Sequence, residues 1–307
     1  MSLKGRDFLT LADFSAKELW KFLKESLKIE KNLKNFSRKL SGKFVVLMFE
    51  KPSTRTRISF EVAVKQLGGN TITLNWGESQ LSRGETISDT GKTLERYVNC
   101  IVARVKNHET LINLAESSKI PVVNALSDLY HPCQALSDFL TIYKVKGKLN
   151  GLKLAWIGDG NNVCHSLLIG CAKFGLDMSI ACPKGYEPKN EVLKLAKEFA
   201  TVSGSKIELT SEPKNAVKDA DIIYTDTFTS MGFEAEKEKR LKDFLPKYQV
   251  TIELFKYAKK NCIFMHCLPA NRGEEVTDEV IDGPRSIIWF QAENRLHLQR
   301  GLLSLIV

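Results

Sequence analysis

No apolar run in the chain reaches the ~18 residues that a membrane helix needs. The first thirty positions interleave Lys4, Arg6, Asp7, Lys17 and Glu18 where a secretory leader would place an apolar core. A membrane protein is thereby excluded, and a cytoplasmic location is expected. The seven cysteines are an odd number without a CxxC pair, so reduced thiols are expected rather than a disulfide framework. Aromatic residues are only 9% and few stand beside basic ones. That argues against a reader of single-stranded nucleic acid, whose charges need stacking platforms. Low-complexity tracts and repeats of solenoid period are missing too. What remains is 43% hydrophobic and 26% charged, which excludes disorder, collagen and coiled coil. At roughly 100 to 200 residues per domain, 307 residues imply two domains.

The net charge is +9, from 45 basic and 36 acidic residues, and fits nucleic acid, an anionic membrane surface or small anionic substrates. Distribution narrows the choice. Lys17, Lys21, Lys24, Lys28 and Lys31 alternate with glutamates at helical spacing, which is the pattern of a solvated helix face.

Strand-length apolar runs alternate with helix-period segments along most of the chain, the signature of parallel sheets with crossover helices. The fold class expected is α/β, with two doubly wound domains, each a central parallel sheet flanked by helices. Phe44 to Phe49, Thr71 to Leu74, Cys100 to Arg104 and Pro121 to Asn124 are the expected strands of the first half. A long amphipathic helix from about Pro132 to Val145 ends in the turn-forming stretch Lys146 to Gly151. The domain boundary is placed there, giving domains 1–147 and 148–292, with a C-terminal helix 293–307 expected to pack back on the first. In the second half, strands are expected at Leu152 to Ile157, Met178 to Cys182, Lys206 to Leu209, Asp221 to Thr225 and Cys262 to His266. Ligands of open parallel sheets bind beyond the carboxyl ends of the strands, and two such domains imply a cleft between them.

The residues at those ends are chemically loaded. After Phe49 come Pro52, Ser53, Thr54, Arg55, Thr56 and Arg57, then a helix: a cap, a helix dipole and several donors at one turn, which is an oxyanion site in outline. An ordinary N-cap with outward arginines is the plain alternative. Arg104 closes the third strand, and His131, Pro132, Cys133 and Gln134 open the long helix. His131 and Cys133 fall short of the four ligands a zinc site wants, so no metal is expected. Gly158, Asp159 and Gly160 imitate a dinucleotide fingerprint, but Val163 stands where a small residue is needed for helix packing. Asp226, Thr227, Phe228, Thr229, Ser230, Met231 and Gly232 follow one strand, and His266, Cys267, Leu268 and Pro269 close another. Asp226 suits an ammonium-bearing substrate. A turn cap for Asp226 and a buried small hydrophobe for Cys267 are the alternatives.

These motifs resemble the ornithine carbamoyltransferases of the aspartate/ornithine carbamoyltransferase superfamily over essentially the whole length. Ser53 to Arg57 and His131 to Gln134 are similar to the superfamily's carbamoyl-phosphate motifs. Asp226 to Gly232 and His266 to Pro269 are similar to the ornithine-specific ones. An aspartate-specific relative would want basic residues there for its dicarboxylic substrate. The resemblance implies that Ser53, Thr54, Arg55 and Thr56 hold the phosphate of carbamoyl phosphate, with Arg104, His131 and Gln134 around the carbamoyl group. It further implies that Cys267, Leu268 and Arg295 complete that site, and that Asn162, Asp226, Ser230 and Met231 contact L-ornithine. Gln80, in the Gly- and Ser-rich loop from Gly77 to Gly84, matches a position that reaches a neighbouring subunit's site. Cys267, Arg104 and His131 are the catalytic candidates. A homotrimer or multiple of trimers, with no cofactor and no metal, is what the family implies.

The chemistry of direct amine attack fits these groups, with Cys267 either orienting or deprotonating the δ-amine, although a thiolate nucleophile is also conceivable. Three rival functions remain at this level. One is a carbamoyltransferase for putrescine or an acylated ornithine, another a non-enzymatic anion or nucleic-acid binder, and the third a nicotinamide enzyme using Gly158 and Gly160.

Overall fold

A computed structural model describes residues 2–229 and 234–307. The chain divides into two compact units, one of residues 1–140 with 294–307 and one of residues 141–293.

The first unit holds α1 (Ala16–Lys31), β1 (Phe44–Phe49), α2 (Thr54–Gln66), β2 (Asn70–Asn75), α3 (Ile87–Leu94), β3 (Cys100–Arg104), α4 (His108–Ser117) and β4 (Val122–Leu126). Then α5 (Pro132–Lys146) begins, and it runs past the division. All strands of this sheet are parallel, in the order β2-β1-β3-β4. β1 and β3 are almost pure β-branched and apolar sequence, FVVLMF and CIVAR, and β3 is buried throughout. That is how a strand reads when helices cover both faces of its sheet. Phe8, Phe14 and Phe22 pack together beside it, with centroids 5.3 to 5.5 Å apart.

The second unit contains β5 (Lys153–Ile157), α6 (Asn162–Phe174), β6 (Asp177–Ala181), α7 (Asn190–Ser203), β7 (Ile207–Thr210), α8 (Pro213–Val217), β8 (Ile222–Thr225), α9 (Lys237–Phe244), β9 (Ile263–His266) and α10 (Asp278–Ile281). α11 (Ile288–Ile306) crosses the division back into the first unit. Its sheet is again all parallel, ordered β7-β6-β5-β8-β9.

Strand order decides where a site can be. In the first sheet the chain goes from β1 to β2 on one side and then returns to β3 on the other, so the switch point lies between β1 and β3. In the second it lies between β5 and β8. Loops leaving the carboxyl ends of two such strands diverge to opposite faces and leave a crevice for a ligand. The loops at these two crevices are 50–53 with Arg104 and 158–161 with Asp226.

The stretch expected as a Gly- and Ser-rich loop, 77–84, is more ordered than its composition suggests. It folds as two 3-10 turns, Trp76–Glu78 and Gln80–Arg83, closed by Gly84 at φ 95°. Serine hydroxyls make this possible. Ser79 donates to the Trp76 carbonyl at 2.7 Å and Ser82 to that of Ser79 at 2.7 Å.

Candidate active site

In the first unit, Ser53 caps α2 by accepting the Thr56 amide on its hydroxyl at 3.4 Å. The amides of Ser53, Thr54 and Arg55 have no acceptor inside the helix, so they form the positive mouth that an oxyanion fills. Thr56, one turn in, is buried. Arg295, delivered by α11, donates to Thr56 Oγ1 at 2.9 Å and to Gln134 Oε1 at 2.5 Å. Because Thr56 accepts from the guanidinium, its own hydroxyl proton remains available as a donor. Gln134 in turn donates its Nε2 to Asp138 Oδ1 at 2.9 Å.

His131 arrives at the head of α5 by way of a tight turn, in which the Ser127 amide donates to the Tyr130 carbonyl at 2.9 Å and the Tyr130 amide to Ser127 Oγ at 3.2 Å. Burial holds its imidazole well below the ordinary histidine range, and the charges of Arg295, Arg104 and Arg55 push the same way. His131 is therefore neutral at physiological pH, a hydrogen-bonding group and not a fourth cation. Its sequence neighbour Cys133 is no ligand. The thiol is pushed up to about 12 by burial and donates to the Asn124 carbonyl at 3.3 Å. None of the seven cysteines is in a disulfide.

In the second unit, the carboxylate of Asp226 is the hub. Oδ2 accepts from Asn161 Nδ2 at 2.8 Å, while Oδ1 accepts from the Thr227 amide at 2.8 Å and from Cys267 Sγ at 3.0 Å. Asn161 also caps α6, its Oδ1 taking the amides of Val163 and Cys164. One side chain thus ties the β5 end to the β8 end across the switch point. Cys267 meets the Asp226 carboxylate as a hydrogen-bond donor, through its S–H. Leu268 sits at φ 61°, a left-handed conformation rare for a branched side chain, held by its amide donating to His266 Nδ1 at 2.9 Å.

Asp226, His266 and Cys267 form the one group of possible metal ligands that converges among the described residues, with donor atoms within 4.8 Å. His266 is committed elsewhere. Nδ1 receives the Leu268 amide, so Nε2 carries the proton and faces Glu275 Oε1 at 3.2 Å. Neither nitrogen offers a lone pair, and two ligands do not make a site. The dinucleotide imitation also has a packing explanation. A Cβ on Gly160 would lie 2.2 Å from the Pro188 nitrogen, so this glycine serves a close backbone approach.

Of the residues expected at the site, Thr56, Gln134 and Arg295 are joined by hydrogen bonds, and Arg55, Arg104 and Arg295 act together on His131. Asp226 and Cys267 are in contact, Leu268 adjoins them, and Asn162 follows the Asn161 clamp. Thr54 and Gln80 are exposed. Ser230 and Met231 lie outside the described residues. Sequence reasoning missed Asn161, Asp138 and Glu275. For Asn161 a signal existed, since an Asn directly before a helix is a cap; the other two sit inside or after elements with nothing local to mark them.

Comparison with known proteins agrees in both units. A model of the carbamoyl-P binding domain of aspartate/ornithine carbamoyltransferase matches residues 6–144, and one of the Asp/Orn binding domain matches residues 150–306. Ornithine carbamoyltransferase from Pyrococcus horikoshii is 52% identical, covering 100% of this chain and 97% of its own. The Bacillus subtilis protein of that name is 53% identical, with 100% and 95% covered. The solved structure of the Pyrococcus furiosus ornithine carbamoyltransferase superposes with a TM-score of 0.95 at 52% identity, covering 100% of this chain and 98% of that one.

Proposed function

The chain belongs to the aspartate/ornithine carbamoyltransferase family, and we propose that it transfers the carbamoyl group of carbamoyl phosphate to the δ-amine of L-ornithine, giving L-citrulline and phosphate. The observation that carries the ornithine side of this reading is the Asp226–Cys267 pair at the switch point of the second sheet. An anionic hub suits a substrate with ammonium groups and repels a dicarboxylic one.

The reaction follows from the residues. Carbamoyl phosphate seats its phosphate on the α2 mouth with Ser53, Thr54 and Arg55, while Arg295, already hydrogen-bonded to Thr56, adds a further cation. The neutral δ-amine attacks the carbamoyl carbon, and charge grows on the carbonyl oxygen. Arg104, the free proton of Thr56 and neutral His131 stabilise that charge. Phosphate then leaves into the field of Arg55, Arg57 and the helix terminus, carrying off the proton that the attacking amine releases. Asp226 holds the α-ammonium, with Asn162, Ser230 and Met231 around the amino-acid end. Cys267 orients the δ-amine, and Leu268 adjoins the carbamoyl group. Alignment of two bound reactants supplies up to ~7 to 11 kcal/mol, so neither covalent intermediate, metal nor organic cofactor is called on.

The working molecule in this reading is a cytoplasmic homotrimer or multiple of trimers, with residues 1–147 and 293–307 serving carbamoyl phosphate, 148–292 serving ornithine, and Gln80 donated to a neighbour's site. Its partners are small molecules, not nucleic acid or membrane. A citrulline assay with ornithine, putrescine and an N-acylated ornithine tests the reading. Ornithine should be carbamoylated fastest, because only it offers the α-ammonium and carboxylate; faster turnover of putrescine would reassign the enzyme.

A further inference from the structure

We propose that Asp138 is a positioning residue which fixes the end of the Gln134 amide that meets the carbamoyl group; the inference rests on the carbamoyl-phosphate reading above. Four residues apart on α5, the two side chains lie on one helix face, and both are buried. An amide has a donor end and an acceptor end that look alike in shape, so only partners distinguish them. Here the partners leave no choice. The guanidinium of Arg295 can only donate, so it takes Oε1, and Nε2, the end left over, donates to Asp138 Oδ1.

The two constraints are not equally durable. Arg295 also serves Thr56 beside the α2 mouth, and a bound phosphate competes for its guanidinium. Once Arg295 turns to the anion, Asp138 alone keeps Nε2 pointing inward, and Oε1 is the atom that faces the ligand. A carbamoyl group carries an NH2 at one end and a carbonyl oxygen at the other. An outward Oε1 accepts from the NH2, which leaves the carbonyl for the donors Arg104, Thr56 and His131. A reversed amide would set donor against donor and favour the carbamoyl group turned the wrong way. Asp138 thereby selects the amino end without touching substrate.

Steady-state kinetics of Asp138→Leu and Asp138→Asn test this. Asp138→Leu removes the acceptor, so the KM for carbamoyl phosphate should rise roughly tenfold, the scale of one lost buried hydrogen bond. The KM for ornithine and inhibition by inorganic phosphate, which has no amino end, should stay within about twofold. Asp138→Asn keeps an acceptor in its amide oxygen and should recover most of the loss. An unmoved carbamoyl-phosphate KM in Asp138→Leu, phosphate inhibition weakened equally, or Asp138→Asn no better than Asp138→Leu would each overturn the proposal. Should Asp138→Leu fail to fold, the polarity swap decides. In Gln134→Glu/Asp138→Asn the donor moves to position 138 and an acceptor still faces outward, so kcat/KM should exceed that of Gln134→Glu alone by about tenfold, and no gain is the contrary result. Wild-type protein that makes no citrulline would instead sink the functional reading and this inference with it, whereas active wild type with indifferent Asp138 variants sinks the inference alone.

Discussion

A histidine among three arginines is useful only if it stays uncharged, and burial together with Arg295, Arg104 and Arg55 keeps His131 so. The pH dependence follows with a definite sign. The unfolded chain takes up the His131 proton near pH ~6.5, whereas the native protein takes it up only well below that. Stability attributable to this group is therefore complete above the unfolded value and falls as pH drops through the window beneath it. In urea unfolding, wild-type stability relative to His131→Asn should shrink between pH 7.5 and pH 5.5; a pH-independent difference would mean that His131 titrates normally. Cys267 offers a second test at this scale. Its thiol donates to Asp226 at 3.0 Å, a role that a hydroxyl fills imperfectly. Cys267→Ser should lower kcat severalfold to about a hundredfold without abolishing turnover, in line with loss of a positioning contact. Complete loss together with a trapped carbamoyl-enzyme would establish covalent catalysis instead.

At the scale of elements, the two switch points organise everything, and they explain what could be read from residues alone. Runs such as FVVLMF and CIVAR are legible because a doubly covered strand must be apolar on both faces. Turns such as Ser53 to Arg57 are legible because a cap followed by arginines has few other uses. Asp138 was not, because an acid four residues after Gln134 reads as an ordinary solvent-side helix position until the helix is seen to be buried on nearly every side. Glu275 was hidden for a different reason: its partner His266 lies on another element, and no local pattern connects them. Gly158 and Gly160 looked like a nucleotide fingerprint because backbone crowding and phosphate binding call for the same residue. Gly160→Ala separates the two demands. Its Cβ would meet the Pro188 nitrogen at 2.2 Å and the Glu187 carbonyl carbon at 2.5 Å. The urea midpoint should drop by the equivalent of about 1 to 3 kcal/mol, and NAD should produce no thermal shift in either protein. A neutral substitution, or a shift with NAD that the alanine removes, would contradict the packing account.

On the scale of the whole molecule, the proposed reaction requires a cationic half-site, carried by the first unit, an anionic one, carried by the second, and a Gln80 from another copy of the chain. Gln80 sits exposed at the start of a 3-10 turn. Mixing Gln80→Ala with Arg55→Ala protein, after dissociation and reassembly, should regain activity that neither variant has, since some sites then receive Gln80 and Arg55 from intact copies. Mixtures no better than the separate variants would place Gln80 outside the site. The most direct test of the joint claim is a crystal structure with a bisubstrate phosphonate carrying an ornithine tail. One ligand should be seen with its phosphonate on Ser53, Thr54 and Arg55 and its amino-acid end on Asn162 and Asp226. A phosphonate bound away from the α2 mouth, or an ornithine tail that leaves Asp226 untouched, would contradict it.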